Sequence, residues 1–245
     1  MPRKTRMYLP GIPVHVVQRG HNRDACFFAE KDFRYYRQVL GEGMKRYGAK
    51  LHAYCLMTNH VHLLITPDET DSISRLMQHV GRQYVQYVNR TYRRSGTLWE
   101  GRHKGALVDA EHYLLSCYRY IELNPVSACM VERPEEYPWS SYRFNALLEP
   151  DNLISPHPLF ESLANDKFER ASVYQDLFRY HLPEKTRNDI AASVSASRIL
   201  GSGRFKDQVE AAIGRKVGQV AKLNRSDPRA MNRQVRSIRN WSVTC

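Results

Sequence analysis

The sequence lacks any apolar run of the roughly 18–20 residues that a transmembrane helix requires. Its basic start, Arg3 to Arg6, is followed by Pro10, Gly11 and Pro13 rather than by the unbroken apolar stretch of a signal peptide. It also has no internal repeat and no low-complexity tract. With 42% hydrophobic residues among 245, we expect a folded chain that is neither exported nor inserted into a membrane.

Cysteine pairs are also absent. The cysteines are widely scattered and no two of them form a CxxC pair. This spacing argues against a disulfide framework and against a cysteine zinc site, and it favours a reducing, cytoplasmic location. The five residues are Cys26, Cys55, Cys117, Cys129 and Cys245.

Acidic residues are few relative to basic ones. The chain has 25 Asp and Glu against 37 Lys and Arg, a formal net charge of +12. Such an excess favours a polyanionic partner, either nucleic acid or an acidic membrane surface. Because no membrane anchor is expected, nucleic acid is the predicted partner. The absence of a P-loop motif, GxxxxGK followed by Ser or Thr, argues against a nucleotide cofactor.

Apolar periodicity predicts an alternation of strands and helices over the first half of the chain. Strands are expected at 12–19, 51–57, 60–65 and 104–108, and helices at 31–47, from 72 to about 92, and at 110–123. The βαββαβ order is typical of the ferredoxin-like α+β fold, an antiparallel sheet with two helices on one face. The helix at 110–123 is additional, and we expect it on the open face or at an edge of the sheet.

The composition changes beyond about residue 150. Residues 186–245 contain twelve Lys or Arg and four acidic residues, which gives them +8 of the net charge. Residues 199–213 contain a short helical pattern, carried by Phe205, Val209, Ala212 and Ile213. We predict an α+β domain over 1–150 and a basic helical C-terminal extension over 151–245, with the extension acting as an auxiliary DNA-binding region.

The most informative spacing is that of His60 and His62. In a strand, residues i and i+2 point to the same face, roughly 7 Å apart. Both imidazoles would then lie on the face opposite Val61 and Leu63, where they could share one divalent metal ion. Histidine pairs also occur in strands without a metal. His52, on the neighbouring strand, offers an alternative zinc ligand.

The helix at 110–123 carries a second candidate group. Tyr120 and Asn124 are four residues apart and therefore share one helix face. The amide could provide a third metal ligand and the phenol a nucleophile beside it. Alternatively, the tyrosines of this helix are ordinary core or interface aromatics. Tyr118, two residues earlier, points about 160° away from Tyr120 and cannot face the same site.

Basic residues cluster in two loops beside this region, and we predict that both clusters bind DNA. One cluster follows the first strand, and the other lies between the long helix and the fourth strand. The members are Arg19, His21, Asn22 and Arg23, then Arg93, Arg94, Trp99, Arg102 and Lys104. Trp99 could stack on an unpaired base, which suggests a single-stranded substrate, or it could anchor the core.

Five stretches together carry a family resemblance. The histidines lie in Leu56-Met-Thr-Asn-His-Val-His-Leu-Leu64 and the tyrosine in Tyr120-Ile-Glu-Leu-Asn-Pro-Val126. The others are Val17-Gln-Arg-Gly-His-Asn-Arg23, Leu98-Trp-Glu-Gly-Arg-His-Lys104 and Trp139-Ser-Ser-Tyr142. Over roughly residues 5–145, the pattern resembles the HUH single-tyrosine transposases. Within them it looks most like the REP-associated tyrosine transposases of bacteria.

The resemblance implies a role for each residue. His60 and His62 would be metal ligands, Asn124 the third ligand and Tyr120 the nucleophile. The implied reaction is a site-specific transesterification of single-stranded hairpin DNA, in which the tyrosine becomes linked to a 5′ phosphate and a 3′ hydroxyl leaves. Mixed imidazole and amide ligation suits Mg²⁺ or Mn²⁺.

The resemblance also implies a place and a state for the protein. It predicts a transposase that acts on REP-like hairpins in the bacterial cytoplasm, associated with the nucleoid. The protein would be a monomer rather than a dimer that exchanges its tyrosine helix. Two alternatives remain open: a domesticated relative that binds hairpins without cleaving them, and a zinc protein that uses His52, His60 and His62.

Overall fold

The computed structural model describes residues 8–214. Five strands form one sheet: β1 (Val14–Arg19), β2 (Ala49–Met57), β3 (His60–Pro67), β4 (Lys104–Val108) and β5 (Ile199–Leu200). The longer helices are α1 (Glu30–Tyr47), α2 (Ser72–Thr91), α3 (Ala110–Glu122), α7 (Lys167–Asp176), α8 (Glu184–Ser195) and α9 (Gly203–Ile213). Between them lie the short helices α4 (Asn124–Ser127), α5 (Tyr142–Leu147) and α6 (Pro158–Glu161).

The sheet has the strand order β2-β3-β1-β4-β5. The first four strands pair antiparallel, so the predicted ferredoxin-like βαββαβ arrangement is confirmed. The fifth strand pairs parallel to β4 and comes from the C-terminal part of the chain. The helical pattern expected within 199–213 corresponds to the helix α9, which begins at Gly203, after this short strand.

One face of the sheet is covered by α1 and α2. The apolar residues that alternate along the strands, such as Val16, Val61 and Leu63, pack into a core with the apolar stripes of these two helices. Tyr36 of α1 and Tyr84 of α2 are buried there. Burial of this face fixes the register of β1 and β3, since a shift by one residue would turn every side chain to the opposite face.

The opposite face is covered by α3. This helix contacts β2 and β3, and its Cys117 and Ile121 share a core with Ala53 and Leu64 of the sheet. The additional helix therefore lies on the open face, which is one of the two positions expected from the sequence. Side chains of β1 and β3 that point to this face are enclosed between the sheet and α3.

Residues 151–214 pack back onto the same α+β unit. Val194 of α8 joins Val17 and Ala106 of the sheet in a small buried cluster. Asp109, just before α3, accepts hydrogen bonds of 3.2 Å from both the backbone N–H and the hydroxyl of Ser202. Most of the basic residues counted between 186 and 245 lie outside the described residues, from 215 onward, and so does the auxiliary DNA-binding role predicted for them.

Within the described residues, 8–214, every helix is either too short or too polar to span a membrane. Cys26, Cys55 and Cys117 are buried free thiols.

A buried carboxylate joins α3 to the helices that follow it. Glu122 is fully buried, and its Oε1 accepts hydrogen bonds from Ser141 Oγ at 2.6 Å and Asn145 Nδ2 at 2.7 Å. Its Oε2 accepts a hydrogen bond from the Tyr174 hydroxyl at 2.7 Å. Burial raises the pKa of Glu122 to about 7, although the three donors oppose the shift.

This raised pKa makes the stability of the fold depend on pH. The folded state holds the proton of the Glu122 carboxyl more tightly than the unfolded state does. The stability that this protonation contributes is therefore complete below the unfolded pKa and is lost as pH rises through about 7. Glu122→Gln copies the neutral acid and should not titrate. From pH 5 to pH 8, the free energy of unfolding of the variant, measured relative to that of the parent protein, should rise by up to about 3 kcal/mol.

Urea unfolding of both proteins at the two pH values measures this difference. Glu111→Gln is the matched control, because Glu111 is an exposed glutamate at the start of the same helix. A difference in unfolding free energy that stays constant between pH 5 and pH 8 would contradict the assignment.

Candidate active site

Two histidines lie together on the face of the sheet that α3 covers. His60 and His62 are i and i+2 in β3, and their ring centroids are 4.9 Å apart. His60 is half-buried, whereas His62 is only 1% exposed. The residue between them, Val61, points into the opposite core. The strand alternation expected from the sequence therefore brings the two imidazoles together.

The Nδ1 atom of each imidazole is engaged by a neighbouring side chain. His60 Nδ1 donates a hydrogen bond of 2.6 Å to Asn59 Oδ1. His62 Nδ1 shares a hydrogen bond of 2.9 Å with His15 Nε2. Because Nδ1 is used in both rings, Nε2 is the atom through which each histidine could bind a metal ion.

His15 is a site residue that the sequence analysis missed. It lies in β1, two residues before Val17, which is paired with His62. Its ring is 1% exposed and its centroid is 5.2 Å from that of His62. The sequence signal that could have identified it is a histidine between Val14 and Val16, in a strand of β-branched residues. Only the pairing of β1 with β3 shows which histidine it meets.

All three imidazoles are held in the neutral form. Burial lowers the pKa of His15 to about 3. Burial, together with the charge of Arg19, lowers the pKa of His60 to about 3. Burial also lowers the pKa of His62 well below its ordinary value, and its histidine neighbours and Arg19 add to that shift. A neutral imidazole is the form that binds a metal ion.

Tyr120 of α3 lies over this cluster. Its ring centroid is 5.8 Å from His15 and 6.0 Å from His62. Tyr118 instead packs against Phe160 in the core, as its position on the helix predicted. Burial raises the pKa of Tyr120 to about 12, while the charges of Arg187 and Arg19 oppose the shift. At neutral pH the phenol is therefore protonated.

Asn124 begins the short helix α4, directly after α3. Its Nδ2 donates hydrogen bonds to the carbonyl oxygens of Tyr120 at 2.8 Å and Ile121 at 3.1 Å. The amide nitrogen is thus directed back to its own helix, which leaves Oδ1 as the donor atom for a cation. An amide oxygen is a ligand type that suits Mg²⁺ or Mn²⁺.

The alternative zinc set is contradicted by the structure. His52 is buried with both ring nitrogens engaged, Nδ1 by the Ser155 carbonyl at 2.6 Å and Nε2 by the Thr66 hydroxyl at 2.7 Å. Within residues 8–214, no three His, Cys, Asp or Glu side chains are grouped as metal ligands. His52 is a satisfied core histidine, so it has no free ring nitrogen with which to join His60 and His62 in a metal site.

The two basic clusters are brought together beside the imidazoles. Gly20 pairs with Trp99, and the Glu100 N–H donates to the Arg19 carbonyl at 2.9 Å. Arg19, Arg102 and Lys104 line a common groove of about 200 Å³. Arg19 is also the register partner of His60.

The other predicted DNA-binding residues are exposed at the surface. His21, Asn22 and Arg23 form a turn after β1. Arg93 and Arg94 follow α2, with the Arg94 guanidinium 5.5 Å from the centroid of the Phe28 ring.

Trp99 does not fit its predicted role in base stacking. The residue is 6% exposed, and its ring packs against Tyr36 and Tyr84 at centroid distances of 6.4 and 6.0 Å. A ring enclosed by two buried tyrosines cannot stack on a nucleobase. The alternative reading, a core anchor, is the correct one.

Comparisons with known proteins show similarity in sequence and in fold. Residues 9–124 match the family described as "Transposase IS200 like". The fold matches a solved structure of a REP-associated tyrosine transposase bound to a REP hairpin, with 16% identity and a TM-score of 0.53. That match covers 64% of this chain and 96% of the other.

A second solved structure comes from Deinococcus radiodurans R1 and is described as that of a proposed transposase. It has 23% identity and a TM-score of 0.35, over 49% of this chain and 96% of the other. No curated protein matches the sequence.

Proposed function

Because residues 9–124 belong to the IS200-like transposase family, we propose that the chain is a metal-dependent, site-specific single-stranded DNA endonuclease and strand transferase. The observation that carries this proposal is the position of the Tyr120 ring, 6.0 Å from His62 on the face that also holds His60. The proposed nucleophile, Tyr120, therefore lies close to the two imidazoles that would bind the metal ion. The proposed substrate is a REP-like DNA hairpin, the ligand of the solved transposase with the same fold.

The proposed reaction is a transesterification. The Tyr120 phenolic oxygen attacks the phosphorus of the scissile phosphodiester, a P–O(Tyr) bond forms and the P–O3′ bond breaks. The phenolic proton is lost, and the departing oxygen takes up a proton to become a 3′ hydroxyl. The product is a 5′-phosphotyrosine, whose ester bond keeps the energy needed for rejoining without ATP.

Residues of the chain supply the positioning and the charge. His60, His62 and the Asn124 amide would hold Mg²⁺ or Mn²⁺, which when bound polarises the scissile phosphate and neutralises charge on its oxygens. Arg19 and Arg187 oppose the rise in the pKa of Tyr120, so they favour the phenolate that attacks. The neutral state of the imidazoles keeps both ligands ready at physiological pH.

We infer the path of the DNA from the positions of the basic residues at the surface. Arg19, Arg102 and Lys104 would contact phosphates in the groove beside the site. Exposed residues at the ends of β1 and α2 would extend this surface: His21, Asn22, Arg23, Arg93 and Arg94. The basic residues between 186 and 239 would add contacts that do not depend on sequence.

A cleavage assay tests the proposed function. End-labelled single strands that contain the hairpins flanking the gene are incubated with the protein in Mg²⁺, in Mn²⁺ or in EDTA, and run on a denaturing gel. We expect a nick and a protein–DNA adduct with either metal and neither product in EDTA. Tight binding without a nick or an adduct in all three conditions would instead indicate a hairpin-binding relative that has lost cleavage.

His15 has a positioning role in this proposal. For His62 to offer its Nε2 lone pair to a metal, Nδ1 must carry the proton and donate to His15 Nε2. We expect His15→Leu, which removes this acceptor, to weaken metal binding about 10–100-fold. His15→Gln restores an acceptor at similar length and should recover part of the affinity.

Mn²⁺ titration followed by electron paramagnetic resonance measures that affinity without requiring turnover. His112→Leu is the control, since His112 is an exposed histidine outside the cluster. Equal Mn²⁺ affinity in His15→Leu and the parent protein, with both folded by circular dichroism, would exclude the positioning role.

A further inference from the structure

A cavity of about 650 Å³ opens beside Tyr120, on the side of α3 towards the C-terminal part of the chain. One wall is formed by Tyr120, Leu123 and Val126, from α3 and the residues after it. The other wall is the segment 178–187, which ends in α8. Its volume lies within the range of pockets that bind small organic ligands, roughly 300–1,000 Å³.

We propose that this cavity binds one unstacked nucleotide next to the scissile phosphate, so that residues 178–187 form part of the substrate site. The inference rests on the proposed function, because it assumes that Tyr120 attacks a DNA phosphate. Tyr120 borders both the imidazole cluster and the cavity. A strand that delivers a phosphate to this phenol must therefore place a neighbouring nucleotide at the mouth of the cavity.

The lining of the cavity suits a nucleobase. Phe178, Tyr180, Leu182 and Pro183 provide a largely apolar wall. Tyr180 is 75% exposed, an unusual state for a large aromatic side chain. An aromatic ring at a cavity edge can stack on any base, since every base has a π-face.

The segment that carries Tyr180 is held in place. The Tyr180 carbonyl accepts a hydrogen bond from the Arg119 guanidinium. Phe178 packs edge-to-face against Tyr142 and Tyr174, with ring centroids at 4.8 and 5.2 Å. The backbone of the wall is therefore fixed to α3 and to the core, while the Tyr180 side chain remains accessible to a ligand.

Charges around the cavity favour a phosphate-bearing ligand at the Tyr120 end. Arg187 lines the cavity, and its charge acts on the Tyr120 phenol. The remaining charged residues of the lining are mixed in sign. Arg133 pairs with Glu135 and Glu136, and Glu132 and Glu184 also border the space. A nucleotide whose neutral base faces the apolar wall and whose phosphate lies towards Arg187 matches this distribution of charge.

Fluorescence of 2-aminopurine tests the proposal. The base analogue is placed at successive positions along the hairpin strand, and binding is followed with the Tyr120→Phe protein so that no cleavage occurs. We expect quenching at a position directly beside the scissile phosphate, and we expect Tyr180→Ala to remove it. The same substitution should weaken binding of the strand about 5- to 100-fold.

Phe168→Ala is the matched control. Phe168 is a similarly exposed aromatic residue, 66% accessible, that lies in α7 and does not border the cavity. Quenching and affinity should be the same in this variant as in the parent. The parent protein could cleave hairpins while Tyr180→Ala and Phe168→Ala show the same quenching and the same affinity for the strand. That result would exclude the nucleotide site and leave the proposed function standing.

Two other results would also overturn the nucleotide site, for different reasons. If the parent protein cleaves no hairpin and forms no adduct, the proposed function itself fails and the cavity proposal fails with it. If Tyr180→Ala changes the molecular mass seen by light scattering but not the fluorescence, the cavity is a contact between copies of the chain. That result would also overturn the nucleotide site.

Discussion

Tyr120→Phe should abolish the covalent protein–DNA adduct and leave hairpin binding nearly unchanged. The substitution removes only the phenolic oxygen, which is the attacking atom in the proposed reaction, and keeps the ring that packs 5.8 Å from His15. A denaturing gel for the adduct and a native gel for binding, run on one preparation, measure the two effects separately.

Tyr118→Phe is the control for this variant. Tyr118 lies two residues earlier on α3 and is buried against Phe160 and Tyr174. Its loss of a hydroxyl should leave adduct formation intact. An adduct that persists at normal yield in Tyr120→Phe would show that another residue is the nucleophile, and the assignment of α3 as the catalytic helix would then be wrong.

His62→Ala should also abolish cleavage, and mixing it with Tyr120→Phe should not restore activity. Tyr120 and His62 of one chain have ring centroids 6.0 Å apart, so in the proposed reaction each chain would use its own tyrosine and its own histidines. A mixture of the two variants then contains no complete site. This outcome agrees with the proposed monomer, in which no tyrosine helix is exchanged.

The mixing experiment has an unambiguous opposite result. In a dimer that exchanges α3, one of the mixed sites would pair an intact tyrosine with intact histidines, and cleavage would reappear at a fraction of the parent rate. Light scattering of each variant at low and high salt provides the mass. Recovered cleavage together with a dimer mass would overturn the single-chain arrangement.

Much of the fold could be predicted because its signals are local. The alternation around His60 and His62 depends on the period of a strand, and it correctly separated Val61 from the two imidazoles. The helix from Ala110 to Glu122 could be predicted from its apolar pattern and from Pro125 beyond its end. Its position on the open face was one of two possibilities, because periodicity identifies an apolar face but not the surface that it contacts.

The errors concern residues whose surroundings are formed by distant parts of the chain. His15 meets His62 only through the pairing of β1 with β3, which are separated in sequence by α1 and β2. Trp99 lies in a loop, where no pattern distinguishes a core anchor from an exposed ring. The strand β5 has two residues, which is too short for any periodic signal.

In the proposed reaction, Tyr120 carries the DNA as a 5′-phosphotyrosine. The most direct measurement is tryptic mass spectrometry of the adduct formed on a hairpin strand in Mg²⁺, after nuclease digestion of the DNA. We expect a single modified peptide, with a nucleotide joined through its 5′ phosphate to Tyr120. A nucleotide on another residue, or cleavage with no modified peptide at any time point, would contradict it.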